Sequence, residues 1–233
     1  MMMNNMEIKP VAVFRSPLPE KFGVPRQAGL AESLRGTVVL EPEFRAPEAL
    51  RGLEGFDYLW LIWGFHLNKE NAGEGLTVRP PRLGGEERVG VFASRSPYRP
   101  NPLGLSSVRI ERVDAEAGQI HVLGADLADG TPIYDIKPYV EYADSHQGVR
   151  SGFVDAHPWK PLEVVLPRET FHKLDPDSVD ALLEILAQDP RPRYQDDPER
   201  IYGLLFEGRN IRFRVEGDTL TVVEIIDGRS NRP

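Results

Sequence analysis

The chain has 233 residues and a formal net charge of −8, with 40% apolar and 27% charged residues. That composition supports a packed core, so disorder along the whole length is excluded. Cysteine is absent, which excludes disulfides and thiolate metal sites and makes a cytoplasmic location the expectation; the most apolar run, Leu59 to Phe65, is far short of the roughly 20 residues a membrane span needs.

The first nine residues show no secretory pattern, and the repeated Met1, Met2, Met3 and Met6 leave the start codon open. Glycine and proline, 21 each, punctuate the first two-thirds of the chain. Between them lie seven short runs of strand character: Val11–Arg15, Thr37–Leu40, Tyr58–Phe65, Arg88–Ala93, Ser106–Val113, Gln119–Gly124 and Ile133–Ile136. Closely spaced strands without helical periodicity predict an antiparallel barrel or sandwich. Tyr58–Phe65 carries large side chains on both parities, which predicts burial on both faces or beneath a partner subunit. Residues 143–160 are polar and aperiodic and read as a linker. After the short run Leu162–Leu166 comes a helix: Asp175 caps it, Pro176 fits its first turn, Val179, Leu182, Leu183 and Leu186 share a face, and Pro190 ends it. Gly203–Phe206, Ile211–Val215 and Leu220–Ile226 then read as a three-stranded meander. A boundary near residue 160 gives two domains, 7–160 and 161–229.

Charge is distributed unevenly. Between Arg79 and Arg112 there are seven Arg, three Glu and no Lys, an excess of positive charge in an acidic chain. Guanidinium forks suit bidentate contacts to phosphate or carboxylate, although a solvated strand face would carry Arg as well. The five histidines, at 66, 121, 146, 157 and 172, have no metal-ligand spacing, so no metal site is expected. Three segments stand out. Val24-Pro25-Arg26-Gln27-Ala28-Gly29-Leu30 combines a fixed entry with a glycine that lets a partner approach the backbone. Phe92 to Gly104 holds three prolines that stiffen a loop displaying Arg95, Arg99 and Asn101, as an anion site or a surface turn would. Asp126 to Pro132 makes a tight turn, after which Asp135, Lys137 and Tyr139 alternate and would share one side of a strand.

Together these segments resemble one family, the S-adenosylmethionine-dependent methyltransferases of tRNA N6-threonylcarbamoyladenosine 37. The resemblance runs through Val11–Pro17, Pro25-Arg26-Gln27, Val78–Gly85, the highly specific Arg95-Ser96-Pro97-Tyr98-Arg99-Pro100-Asn101-Pro102, Asp126–Pro132, Asp135–Tyr139 and Asp189–Tyr194. It implies a mainly β protein, a closed or nearly closed single-sheet β-barrel followed by a small α+β C-terminal domain, acting as a homodimer. It implies S-adenosylmethionine as cofactor, held by Gln27, Ala28 and Gly29, by His66 and Leu67, by Arg95 and Leu105, and by Leu123, Gly124, Ala125 and Asp126. It implies methyl transfer to N6 of the modified adenine beside the anticodon. For that chemistry Asp135 or Tyr139 is the expected proton acceptor and Lys137 the anchor of the threonyl carboxylate. Arg79, Arg82, Arg99 and Asn101 are the expected contacts to the tRNA anticodon loop. Two other readings remain open at this point: a non-catalytic RNA-binding or regulatory barrel, and a methyltransferase of the same fold with another substrate.

Overall fold

The computed structural model describes residues 6–68, 75–80, 83, 87–191 and 197–228. In chain order the first part supplies strands β1 (Ala12–Arg15), β2 (Arg35–Leu40), β3 (Tyr58–Gly64), β4 (Thr77–Val78), β5 (Val89–Gly90), β6 (Leu103–Asp114), β7 (Gln119–Leu123) and β8 (Pro132–Pro138). Six of them close into a barrel in the order β1-β2-β7-β6-β3-β8, with antiparallel neighbours. The barrel follows from strict alternation. Phe14, Val38, Leu59, Leu61, Val108, Ile120 and Val122 point inward and form the core, and the residues between them face outward.

The expected strand Arg88–Ala93 is largely corrected. Only Val89–Gly90 is extended, paired with Thr77–Val78 in a two-stranded ribbon outside the barrel. Val91–Ala93 is a single 3-10 turn. Val91 is buried all the same, because a turn can deliver an apolar side chain as well as a strand can. The run at Tyr58–Phe65 has one face inside the barrel and one half-exposed face, not two buried ones.

Helix α1 (Glu141–Asp144) leads into the largely exposed 143–160 connection and α2 (Phe153–Ala156) lies within it, each a single turn. Beyond them lie β9 (Glu163–Val165), α3 (Val179–Ala187), β10 (Tyr202–Phe206), β11 (Arg209–Glu216) and β12 (Thr219–Asp227). The meander gains a fourth strand: β9 pairs parallel with β12, giving the order β10-β11-β12-β9. Ahead of α3, the Asp175 carboxylate accepts the Asp177 N–H at 3.0 Å, and Pro176 opens the short 3-10 turn that leads into the helix. The buried face of α3 is Ala181, Leu182, Ile185 and Leu186, with Val179 and Leu183 only half-buried, so the stripe is rotated from the expected one. Asp189, at φ +48°, turns the chain out of the helix ahead of Pro190.

The second core crosses the sequence boundary. Leu18, Ala31 and Leu34, from the connection between β1 and β2, belong to the same buried cluster as Leu182, Ile185, Leu204 and Phe213. Among the described residues, no helix is long and apolar enough to cross a membrane.

Candidate active site

Three loops converge at one mouth of the barrel. The β1–β2 connection brings Gln27, Ala28 and Gly29, the proline-rich loop before β6 brings Arg95, and the β7–β8 connection brings Gly124, Ala125 and Asp126. The first and third are stitched together: Gly29 N–H donates to the Gly124 carbonyl at 2.8 Å, and Gly124 N–H donates to the Leu34 carbonyl at 2.9 Å. Gly124 has φ +76°, a backbone state that other residues reach only with strain. An added Cβ would lie 3.5 Å from the Gly29 backbone, so conformation more than space demands glycine there.

Asp126 is the electrostatic centre of this mouth. Trp63 Nε1–H donates to Ser106 Oγ at 2.9 Å, and Ser106 Oγ–H donates to Asp126 Oδ1 at 2.5 Å. Both Trp63 and Ser106 are buried, at 7% and 2% exposure. The indole fits because Gly104, its partner across the β3–β6 ladder, has no side chain: a Cβ there would sit 2.2 Å from the Trp63 ring. Burial pushes the Asp126 carboxyl above the usual carboxylate range, and the Ser106 hydrogen bond, backbone N–H groups including that of Ala28, and the Arg95 charge oppose that rise. Arg95 Nη1 also donates to Gln27 Oε1, and Gln27 Nε2 donates to the Arg26 carbonyl at 2.5 Å. One cation, one anion and exposed backbone beside Gly29, where an added Cβ would meet nothing within 4 Å, form a donor set that fits a zwitterionic amino acid such as the methionine part of S-adenosylmethionine.

The other expected cofactor residues lie nearby or face outward. His66 Nδ1 is 3.4 Å from Thr131 Oγ1, whose own hydroxyl donates to the Ala128 carbonyl at 2.8 Å. With that hydroxyl proton engaged at Ala128, the His66 contact needs the ring to donate from Nδ1. Leu67 is exposed, and Leu105, at 58% exposure, points out of the barrel on the opposite parity to Ser106. Leu123 is half-buried at the end of β7. Ser106 and Trp63 were not singled out from the sequence. Their small-polar and indole side chains fall on the inward parity of two strands, and only the β3–β6 register shows that they meet.

Asp135 and Lys137 on β8, with Tyr139 immediately after it, form a separate group. Lys137 Nζ pairs with Asp135 Oδ2 at 2.9 Å, and the Tyr139 ring lies 5.8 Å from Trp60 and 6.2 Å from Tyr58. A bulge between Ile62 and Trp63 interrupts the β3–β8 register here. The register sets Leu105, Ile62 and Asp135 in one row and Ser107, Trp60 and Lys137 in the next, all on the outer face of the barrel. Among the described residues the structure does not bring this row into hydrogen-bond contact with Asp126 or Arg95. Trp60 Nε1–H donates to Asp144 Oδ2 at 3.0 Å, which ties the start of the linker to the same face. Of the expected RNA contacts, Arg79 and Asn101 are exposed, while Arg99 is half-buried, with Nη1 donating to the Ser94 carbonyl at 3.2 Å. Arg82 lies outside the described residues, as do Arg193 and Tyr194 of the Asp189–Tyr194 motif.

Residues 13–145 match the family described as the tRNA-methyltransferase O N-terminal domain, and residues 161–228 match the TrmO C-terminal domain. The tRNA (adenine(37)-N6)-methyltransferase of Escherichia coli K12 is 40% identical over 223 residues, covering 91% of this chain and 94% of that protein. A putative S-adenosylmethionine-dependent methyltransferase of Pseudomonas aeruginosa is 41% identical over 229 residues, covering 95% and 98%. The crystal structure of TrmO from P. aeruginosa superposes with a TM-score of 0.79 at 35% identity, covering 97% of this chain and all of that one. The two-part match, the closed barrel and the acidic–arginine mouth agree, and the chain belongs to the TrmO family of tRNA methyltransferases.

Proposed function

We propose that this chain transfers a methyl group from S-adenosylmethionine to N6 of adenine 37 of tRNA, and that the adenine it accepts already carries the N6-threonylcarbamoyl group. The observation that carries the reading is the opposed pair at the barrel mouth, Asp126 held by Ser106 and Arg95 held by Gln27. Asp126 accepts from the ammonium of the methionine part, Arg95 donates to its carboxylate, and the backbone at Gly29 and Gly124 faces the nucleoside. When bound, the cofactor supplies an activated methyl on a positively charged sulfur. The protein's main task is then to hold two partners in line, an effect worth up to roughly 7–11 kcal/mol.

The acceptor nitrogen belongs to a urea-like group and is a poor nucleophile until its proton is drawn off. Asp135 or Tyr139 takes that proton, a contribution of roughly 10²–10⁴-fold, and Lys137 holds the threonyl carboxylate. These groups lie on the outer barrel face with Leu105, Ile62 and Trp60. A second copy packed on that face would bring them beside a cofactor mouth, so the active form is a homodimer, in the cytoplasm. Arg79, Arg82, Arg99 and Asn101 supply the contacts to the anticodon loop.

Incubating the protein and S-adenosylmethionine with tRNA, with and without threonylcarbamoylation, and digesting to nucleosides for mass spectrometry tests the reading. Methylated threonylcarbamoyladenosine should appear only with the modified tRNA. Equal methylation of plain adenosine, or none in either sample, would refute it.

A further inference from the structure

The segment that carries Gln27, Ala28 and Gly29 is clamped from the C-terminal side by one helix. Glu184, on α3, accepts from Ser33 twice, from its N–H at 2.8 Å and from its Oγ–H at 2.9 Å. One helical turn later, Gln188 Nε2 donates to the Leu30 carbonyl at 3.2 Å. At the end of the helix Arg26 Nη2 donates to the Asp189 carbonyl at 3.1 Å. The bonds therefore bracket residues 27–29 on both sides, at 26 and at 30 and 33. Between them, Ala31 is buried in the same cluster as Leu182 and Ile185. On the opposite side the segment meets the barrel through the Gly29–Gly124 hydrogen bond. It is thus a strap held between two bodies, and its conformation at the mouth depends on both.

We propose that α3 pre-organises the methyl-donor site and that Glu184 is its principal positioning residue, acting through Ser33. The inference rests on the reading of Gln27–Gly29 as part of the cofactor site. Binding to a strap already fixed in shape saves the ordering cost that a loose strap would have to meet. A carboxylate accepting two hydrogen bonds from one residue restrains both the position and the rotation of the strap. The C-terminal unit then sets affinity for the small-molecule donor, whatever it contributes toward RNA.

The test uses the full chain and calorimetric titration with S-adenosylmethionine. Glu184→Ala should raise Kd about tenfold, while kcat at saturating donor and KM for tRNA stay within about twofold. Ser33→Ala, which removes the Oγ–H bond and keeps the backbone N–H bond, should weaken binding by less, and the double variant should be no worse than Glu184→Ala alone, because the Ser33 hydroxyl acts only through Glu184. Glu184→Gln, which keeps one acceptor oxygen, should recover part of the loss. Val222→Ala, buried in the same core on β12, opposite Phe213 of β11, provides the structural control: it should lower Tm and leave Kd alone. A folded Glu184→Ala protein with unchanged Kd overturns the inference. So does a Val222→Ala protein that loses as much affinity, since global destabilisation would then account for the effect. If the wild-type chain itself fails to bind the donor, the cofactor reading falls first and the inference falls with it.

Discussion

Ser106→Ala removes one oxygen atom and leaves two groups without their partner. The Trp63 Nε1–H, in a side chain 7% exposed, loses its acceptor at 2.9 Å, and the Asp126 carboxylate loses a donor at 2.5 Å. An unsatisfied buried donor costs about 1–3 kcal/mol, and a hydrogen bond to a charged group contributes about 1.5–3 kcal/mol. The two overlap, since one hydroxyl serves both, and the expected loss is about 3 kcal/mol. For a chain of this size that lowers Tm by roughly 6–12 °C in a calorimetric scan. Ser107→Ala, one residue along on the outer face, is the control and should move Tm by no more than about 1 °C. If both variants melt with the wild type, the relay from Trp63 to Asp126 is not an energetic unit, and the account of how the mouth is held is wrong.

On the proposed reading, Asp126 should govern the pH dependence of donor binding. Its folded pKa is raised, chiefly by burial, so the ionised form that grips an ammonium is gained as pH rises through that value and lost as pH falls through it. Titrations at a series of pH values should therefore show affinity increasing with pH, and Asp126→Asn should be weak and flat; an Asn variant that keeps the slope would assign it elsewhere. The same shift affects stability in the opposite sense: the contribution of Asp126 is complete below the ordinary carboxylate pKa and disappears as pH rises through the folded one. Gly124→Ala places a side chain at φ +76°, at a cost of about 1–2 kcal/mol, and donor affinity should fall by up to about tenfold. Gly148→Ala, at φ +70° in the exposed linker, carries the same strain and should leave affinity untouched. With donor bound, Asp135→Ala or Tyr139→Phe should slow single-turnover methylation by roughly 10²-fold or more, and normal rates in both would remove β8 from the chemistry. Leu105→Glu on the outer face should convert a dimer to a monomer in light scattering after gel filtration; an unchanged mass would place the interface elsewhere.

What could be read from the sequence was local. Short apolar runs such as Tyr58–Phe65 and Gln119–Gly124 are a property of a few neighbouring residues, and β3 and β7 lie close to where those runs predict strands. Strand β6 begins three residues before Ser106 because Gly104 hides the pattern, its side chain being replaced by the Trp63 ring. Val89 and Val91 alternate like a strand yet end in a turn, since burial of Val91 needs no partner strand. The three loops of the mouth announced themselves through proline, glycine and charge. The relay that holds Asp126 did not, because Trp63 and Ser106 are 43 residues apart and meet only through pairing register. The strap contacts are longer in range still, and neither Ser33 nor Glu184 has a local peculiarity to mark it.

The order in which the chain is made adds one more consequence. Ser33 and Glu184 are separated by 151 positions, which at ribosomal speeds of roughly 5–20 residues per second is about 8–30 s of synthesis. For most of that interval Leu18, Ala31 and Leu34 are already made while the hydrophobic surface meant to cover them is not. The nascent barrel must wait with those side chains wet or shielded by a chaperone. A prematurely terminated product would therefore retain a sticky flank beside a site that had never closed.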